Sequence, residues 1–166
     1  VIVIDADMRK PAICKMLDIP KEQVTDMVRL LQGECGLDQT MYRDRQGLNL
    51  VMPTKGHSST YEFVKSGAMK DLIKKCRKFA DFVIIDTPPM SLLSDTEALL
   101  DDVDFSLLVI RQDFSYEKDI ENCINIMNDA DSRFLGCILN DYKKFKIRET
   151  ASVFKKFEDG EEVAHE

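Results

Sequence analysis

The sequence predicts an α/β fold with a parallel, doubly wound sheet, and three observations carry the prediction. Val1-Ile2-Val3-Ile4 and Phe82-Val83-Ile84-Ile85 are unbroken apolar runs rich in β-branched residues, the pattern of strands buried on both faces. Each run stops at an aspartate, Asp5 or Asp86, followed by a proline-containing loop. Between and after them lie stretches of helical periodicity, so strands alternate with helices as βαβ crossovers require.

Taken in order, the strand at Val1–Ile4 leads through Asp5-Ala6-Asp7-Met8-Arg9-Lys10-Pro11 to a short helix expected at Ala12–Leu17. A second helix is expected from Thr25 to Gln32, with Thr25 as N-cap, Asp26 in the first turn and Gly33 at the stop. Leu48 to Met52 reads as a strand closed by Pro53, and Thr54 to Ser59 as a polar loop whose His57 faces solvent. Ala68, Met69, Leu72, Ile73, Cys76, Phe79 and Ala80 recur at helical spacing, with Lys70, Lys74, Lys75 and Lys78 between them, as in an amphipathic helix laid on a sheet. After the strand ending at Asp86, Ser94-Asp95-Thr96-Glu97 has the capping-box pattern and predicts a helix through Leu100. A strand over Phe105–Ile110, a helix marked by Ile120, Cys123, Ile124 and Met127, and a strand over Phe134–Leu139 complete the alternation. Beyond Tyr142 the chain is basic and then acidic, with a helix expected at Arg148–Phe157 and a frayed end.

Composition narrows the function classes. With 44% hydrophobic and 32% charged residues the chain reads as a soluble globular domain, and its formal net charge of −7 argues against a nucleic-acid partner held on a broad basic face. No apolar run approaches the roughly 20 residues that span a bilayer. The five cysteines are odd in number and lack CxxC spacing, which argues against a disulfide framework or cysteine-rich zinc site and for a reducing, cytoplasmic setting. The chain opens inside a strand without a methionine, and so reads as a piece of a longer protein.

Aspartates at the tips of buried strands lie where open α/β sheets bind ligands, at the carboxyl edge. Held rigidly there, a carboxylate can take Mg²⁺ directly or through water, and a second one nearby can position or deprotonate an attacking hydroxyl. Asp5, Asp7 and Asp86 are the candidates for this chemistry.

These residues resemble a family. Val1 to Pro11 is similar to the Walker A′ motif, and Asp81 to Pro89 to the Walker B motif, of the bacterial tyrosine kinases that regulate capsular and exopolysaccharide synthesis, which are P-loop NTPases of the deviant Walker type. The likeness runs through Thr25-Asp26 to Gly33, Gly47-Leu48, Ser66-Gly67-Ala68-Met69, Asp95 and Leu139-Asn140, so that it covers about 1–141 as a partial nucleotide-binding kinase domain and leaves 142–166 as a C-terminal helix and tail.

The resemblance implies ATP and Mg²⁺ as cofactors. Asp5 would activate the substrate tyrosine and contact Mg²⁺, Asp7 would support it, and Asp86 would be the Walker B metal carboxylate. Arg9 would act electrostatically, near phosphate or in a structural pair. Asn140 matches a position that contacts adenine in the wider class, and Arg111 lies near the same crevice. A membrane polysaccharide co-polymerase would be the activating partner at the inner face of the plasma membrane, with homo-oligomerisation and tyrosine-containing protein substrates.

Two departures accompany the likeness. The sequence contains no GxxxxGK[ST], so the phosphate loop and the central strand before it are missing, and an open sheet and an inactive fragment are expected. The tail after Tyr142 holds no tyrosine, which removes the usual autophosphorylation cluster; Tyr42, Tyr61, Tyr116 and Tyr142 are expected to be partly buried. Alternative readings are a partition-type or site-selecting ATPase and a non-catalytic regulatory subunit of the polysaccharide machinery.

Overall fold

The computed structural model describes residues 1–58 and 60–143. The helix expected at Arg148–Phe157 lies outside them. The element order is β1 (Ile2–Asp5), α1 (Ile13–Met16), α2 (Met27–Leu31), α3 (Leu37–Thr40), β2 (Tyr42–Arg43), β3 (Asn49–Val51), α4 (Thr60–Lys65), α5 (Gly67–Cys76), β4 (Val83–Asp86), β5 (Phe105–Arg111), α6 (Glu117–Asp129) and β6 (Arg133–Asn140), with 3₁₀ turns at Lys21–Gln23 and Glu97–Asp102.

The strands form two sheets among the described residues. Four of them run in the order β2-β3-β1-β4, with β1 parallel to both β3 and β4 and the short β2 antiparallel at the edge; β5 and β6 form a separate parallel pair. The α/β architecture with a mostly parallel sheet is as expected. Helices cover both faces of the larger sheet: α2, α4 and α5 pack on Ile2, Ile4 and Val51, while Ile13 and Cys14 of α1 pack with Leu50 and Met52 on the other side. This is the double winding that crossovers of one hand produce.

The inner strands β1 and β3 are buried on both faces, as Leu50 and Val51 of β3 show, but β4 is not. Isoleucines 2 and 4 are fully buried, whereas in β4 Phe82, which leads into the strand, and Ile84 are exposed. The reason is a cleft of about 760 Å³ between the two sheets, lined by Phe82, Ile84, Asp86, Leu107, Val109 and Leu135 among others. The facing edges of β4 and β5 are not hydrogen-bonded to each other, which leaves apolar side chains without a packing partner.

Several local expectations are corrected. Asp26, not Thr25, caps α2: its carboxylate accepts from the Val28 N–H at 2.9 Å, and Gly33 at φ +78° ends the helix as predicted. A carboxylate at this position also meets the positive end of the helix, which a threonine hydroxyl does not. The capping box at Ser94–Glu97 does not form: the element that follows is a 3₁₀ turn that starts after Thr96, so Ser94 and Glu97 do not stand at N-cap and N3 of a helix. Helix α4, a region rich in β-branched and aromatic residues, was not legible as a helix, and α5 stops at Cys76 rather than Ala80. No helix among the described residues is long and apolar enough to cross a membrane.

Candidate active site

Strand β1 is central in its sheet, so the residue at its carboxyl end inherits the strand's rigidity. That residue is Asp5, 1% exposed. One carboxylate oxygen accepts from the Asp7 N–H at 3.1 Å and the other from the Ile13 N–H at 3.5 Å. Asp5 is also the register partner of Asp86, the last residue of β4, and the Ala6 N–H donates to the Asp86 carbonyl at 2.7 Å. Burial above all, and then the Asp86 charge, push the Asp5 carboxyl up to about 6 against the pull of its two backbone donors.

Asp86 stands exposed at the mouth of the cleft, and its carboxyl is also raised, by desolvation first and then by the charge of Asp7. Asp7 in turn accepts from the Lys10 N–H at 3.0 Å, a tight turn that fixes the loop after β1. The structure thus brings Asp5, Asp7 and Asp86 together at one strand edge.

Arg9, expected near phosphate or in a structural pair, is paired with Asp95: its Nε lies 3.1 Å and its Nη2 3.4 Å from the two carboxylate oxygens. Asp95 is 2% exposed and also accepts from the Thr60 hydroxyl, itself buried at the start of α4. Sequence reading missed this role because an Asp among Ser and Thr before an apolar run looks like a cap, and no local pattern reports a partner 86 positions away.

Arg111 and Asn140 are register partners at the ends of β5 and β6, on the second sheet. Arg111 forks onto the Asp141 carboxylate at 3.0 and 3.1 Å and lies over the Phe114 ring. The Asn140 side chain accepts from the Asp141 N–H. These two residues are together, but apart from the aspartate cluster.

Other expectations shift. His57 is largely buried; its N–H donates to the Met8 carbonyl at 2.8 Å, and its Nε2 lies 3.5 Å from the Asp26 carboxylate. Tyr61, Tyr116 and Tyr142 are exposed rather than partly buried, and Tyr42 is half-buried as expected. Cys76 and Cys123 are buried as predicted.

The donor set suits a hard divalent cation. Asp5 and Asp86 are register partners, and each carboxyl is raised by burial first and then by a neighbouring carboxylate's charge, an environment that a cation would relieve. Among the described residues no cluster of three or more metal-ligating side chains exists, and Mg²⁺ characteristically uses one or two carboxylates with water and substrate phosphates for the rest.

Comparison with known proteins identifies the family. No family model matches the chain. CpsD of Streptococcus pneumoniae, a tyrosine-protein kinase, is 27% identical over 84% of this chain and 61% of its own length. The solved kinase domain of VpsO is 30% identical, with a TM-score of 0.77 over 86% of this chain and 70% of that one. The chain belongs to the bacterial tyrosine-kinase family. Other members of the set extend well beyond the shared region: the succinoglycan biosynthesis transport protein ExoP of Rhizobium meliloti is 27% identical, but only 18% of its length is covered. The chain therefore spans between about a fifth and three fifths of these curated relatives. A cobyrinic acid a,c-diamide synthase from Mycobacterium smegmatis, solved with an ATP analog and magnesium, matches at 17% identity and a TM-score of 0.69, which shows a shared fold alone.

Proposed function

We propose that the protein to which these residues belong is an ATP-dependent, autophosphorylating protein-tyrosine kinase that regulates the synthesis and export of capsular or extracellular polysaccharide. The observation that carries the reading is the pairing of Asp5 with Asp86 at the carboxyl edge of the sheet. With its carboxyl at about 6, Asp5 is largely ionised at neutral pH yet basic enough to draw a proton from a tyrosine hydroxyl. Asp7 supports it through the turn it closes, and Asp86 with Asp5 holds Mg²⁺. Bound there, the ion would supply charge neutralisation at the phosphoryl oxygens. Arg111 and Asn140 would meet the nucleotide, and Arg9, in its pair with Asp95, would hold the loop that carries Asp7.

The name of ExoP supports a setting in glycan synthesis and transport. The partner we propose is a membrane polysaccharide co-polymerase that engages the kinase at the cytoplasmic face, where the kinase self-associates and meets tyrosine-bearing substrates. Within the chain, 1–141 form the nucleotide-binding kinase domain and 142–166 its tail. The 166 residues contain no GxxxxGK[ST], so by themselves they bind Mg-ATP weakly. Among the described residues the facing edges of β4 and β5 carry no partner strand, and they would take a further parallel strand of the same polypeptide, the one that leads into a phosphate loop.

The test is phosphotyrosine formation by the full-length polypeptide with Mg-ATP. Asp5→Asn and Asp86→Asn are each expected to lower it at least 100-fold, and undiminished phosphotyrosine in either variant overturns the assignment. Micromolar Mg-ATP affinity of the 166 residues alone, measured by titration calorimetry, overturns the statement about the fragment.

A further inference from the structure

The two loops that carry the acidic cluster come from strands 81 positions apart, and a single dipeptide, Asp95-Thr96, touches both. Asp95 receives the Arg9 guanidinium at 3.1 and 3.4 Å and so anchors the loop that follows Asp5 and contains Asp7. Thr96 donates its hydroxyl to the Pro88 carbonyl at 2.8 Å and so anchors the loop that follows Asp86. Both residues are buried, and Asp95 is fixed from a third side by the Thr60 hydroxyl of α4. A buried carboxylate with all its partners in place has one low-energy position, since any displacement leaves a buried charge underpaired.

We propose that the Asp95-Thr96 corner is a positioning device that sets the separation of the Asp5 and Asp86 carboxylates, and hence their joint affinity for a divalent cation. The inference rests on the reading that these two aspartates act as one site. Neither Asp95 nor Thr96 touches substrate in this scheme. The corner works through Arg9 on one side and through the Pro88 backbone on the other. Backbone contacts between β1 and β4 run to the Asp5–Asp86 pair and end with the Ala6 N–H donating to the Asp86 carbonyl; beyond that point the ladder stops, and the corner supplies the link.

The experiment uses the full-length polypeptide and Mn²⁺ as the probe, titrated while water-proton relaxation is followed, with thermal melting and steady-state kinase kinetics measured on the same samples. Thr96→Val removes the hydroxyl at nearly constant volume, and Thr96→Ser restores it. Asp95→Asn removes the charge that holds Arg9. Thr96→Val and Asp95→Asn are expected to weaken Mn²⁺ binding about 10-fold and to lower kcat by a similar factor, with KM for a tyrosine peptide unchanged, while Thr96→Ser stays within twofold of the parent. A merely structural role would lower the melting temperature and leave the Mn²⁺ affinity of the folded protein intact.

Asp5→Asn and Asp86→Asn separate the two ideas. If they weaken Mn²⁺ binding but Thr96→Val and Asp95→Asn do not, the corner proposal is overturned and the two-carboxylate site stands. If they leave Mn²⁺ binding unchanged, the site reading falls and the proposal falls with it. Should Asp95→Asn not fold, the Thr96→Val and Thr96→Ser pair decides the matter on its own.

Discussion

Asp5 and Asp86 end adjacent parallel strands in register, so two carboxylates from distant parts of the chain face the same edge of the sheet. The arrangement costs stability in the absence of a cation. Asp5 has its carboxyl raised from 3.8 to about 6, so the folded protein holds that proton more tightly than the unfolded chain does. Stability from this group is present below the unfolded value, is lost as pH rises through the folded one, and stays lost above it. The shift corresponds to an upper bound of about 3 kcal/mol. In divalent-free buffer, Asp5→Asn is therefore expected to stabilise the protein by roughly 1–2 kcal/mol at pH 7.5 and by little at pH 4. The range sits below the bound because an amide nitrogen would face one of the two backbone donors. Urea unfolding of parent and variant at the two pH values checks this; a destabilised variant at pH 7.5 would contradict it.

How much of this was readable beforehand depended on the range of the interaction. β1 and β4 announced themselves through unbroken apolar runs, and their terminal aspartates through position alone, because a strand's end is a local fact. That Asp5 and Asp86 are neighbours is not a local fact, because right-handed crossovers allow several strand orders and it is the order β2-β3-β1-β4 that sets the two ends side by side. The Arg9–Asp95 pair does not follow from anything local, and the Ser94–Glu97 pattern even pointed to a cap. His57 misled for the same reason: a polar loop looks solvated until another loop is found packed on it. The exposure of Ile84 in an apolar run reflects the open cleft, which no periodicity within β4 can report.

Asp26 illustrates a carboxylate whose titration has the opposite sign. Burial raises it, but the Thr54 hydroxyl, the Val28 N–H and the Thr54 N–H all donate to it, and His57 lies close, so its carboxyl ends below the ordinary 3.8. Its contribution is present above that value and disappears as pH falls through the lower, folded one. Asp26→Ala removes a helix cap and the tie to the loop after Pro53 together, and is expected to cost about 2–3 kcal/mol at pH 7. Asp26→Asn should recover part of the loss. Denaturant midpoints at pH 7 and pH 3 measure both, and the gap between parent and Asp26→Ala should narrow at the lower pH.

Gly56 lies where backbone meets backbone. A Cβ there would come within 2.7 Å of the Arg9 carbonyl oxygen, and neither atom belongs to a side chain that can swing away. The neighbouring hydrogen bond from the His57 N–H to the Met8 carbonyl locks the same two loops. Gly56→Ala must push the 7–10 loop outward, at an expected cost of about 1–3 kcal/mol. In the full-length protein it should also lower kinase activity, since Asp7 rides on that loop. Amide exchange at Lys10, whose N–H is held by Asp7, reports the displacement directly, and an unchanged exchange rate would count against it.

The cleft between the sheets yields a prediction that reverses sign with context. Ile84 and Val109, both more than half exposed, face it from opposite walls along with Phe82 and Leu107. In the 166 residues alone these side chains form an apolar patch beside unpaired strand edges, the combination that drives self-association. Ile84→Lys with Val109→Lys is expected to suppress association and dye binding there, with little loss of stability, because neither side chain is well packed. In the full-length polypeptide a further strand would bury both positions, and the same pair of lysines should destabilise it by roughly 3 kcal/mol or more through unpaired buried charge. Sedimentation of the short chain and denaturant unfolding of the long one provide the two measurements. An equal effect of the substitutions in both would mean that the cleft stays open in the whole protein, and the proposed strand would have to lie elsewhere.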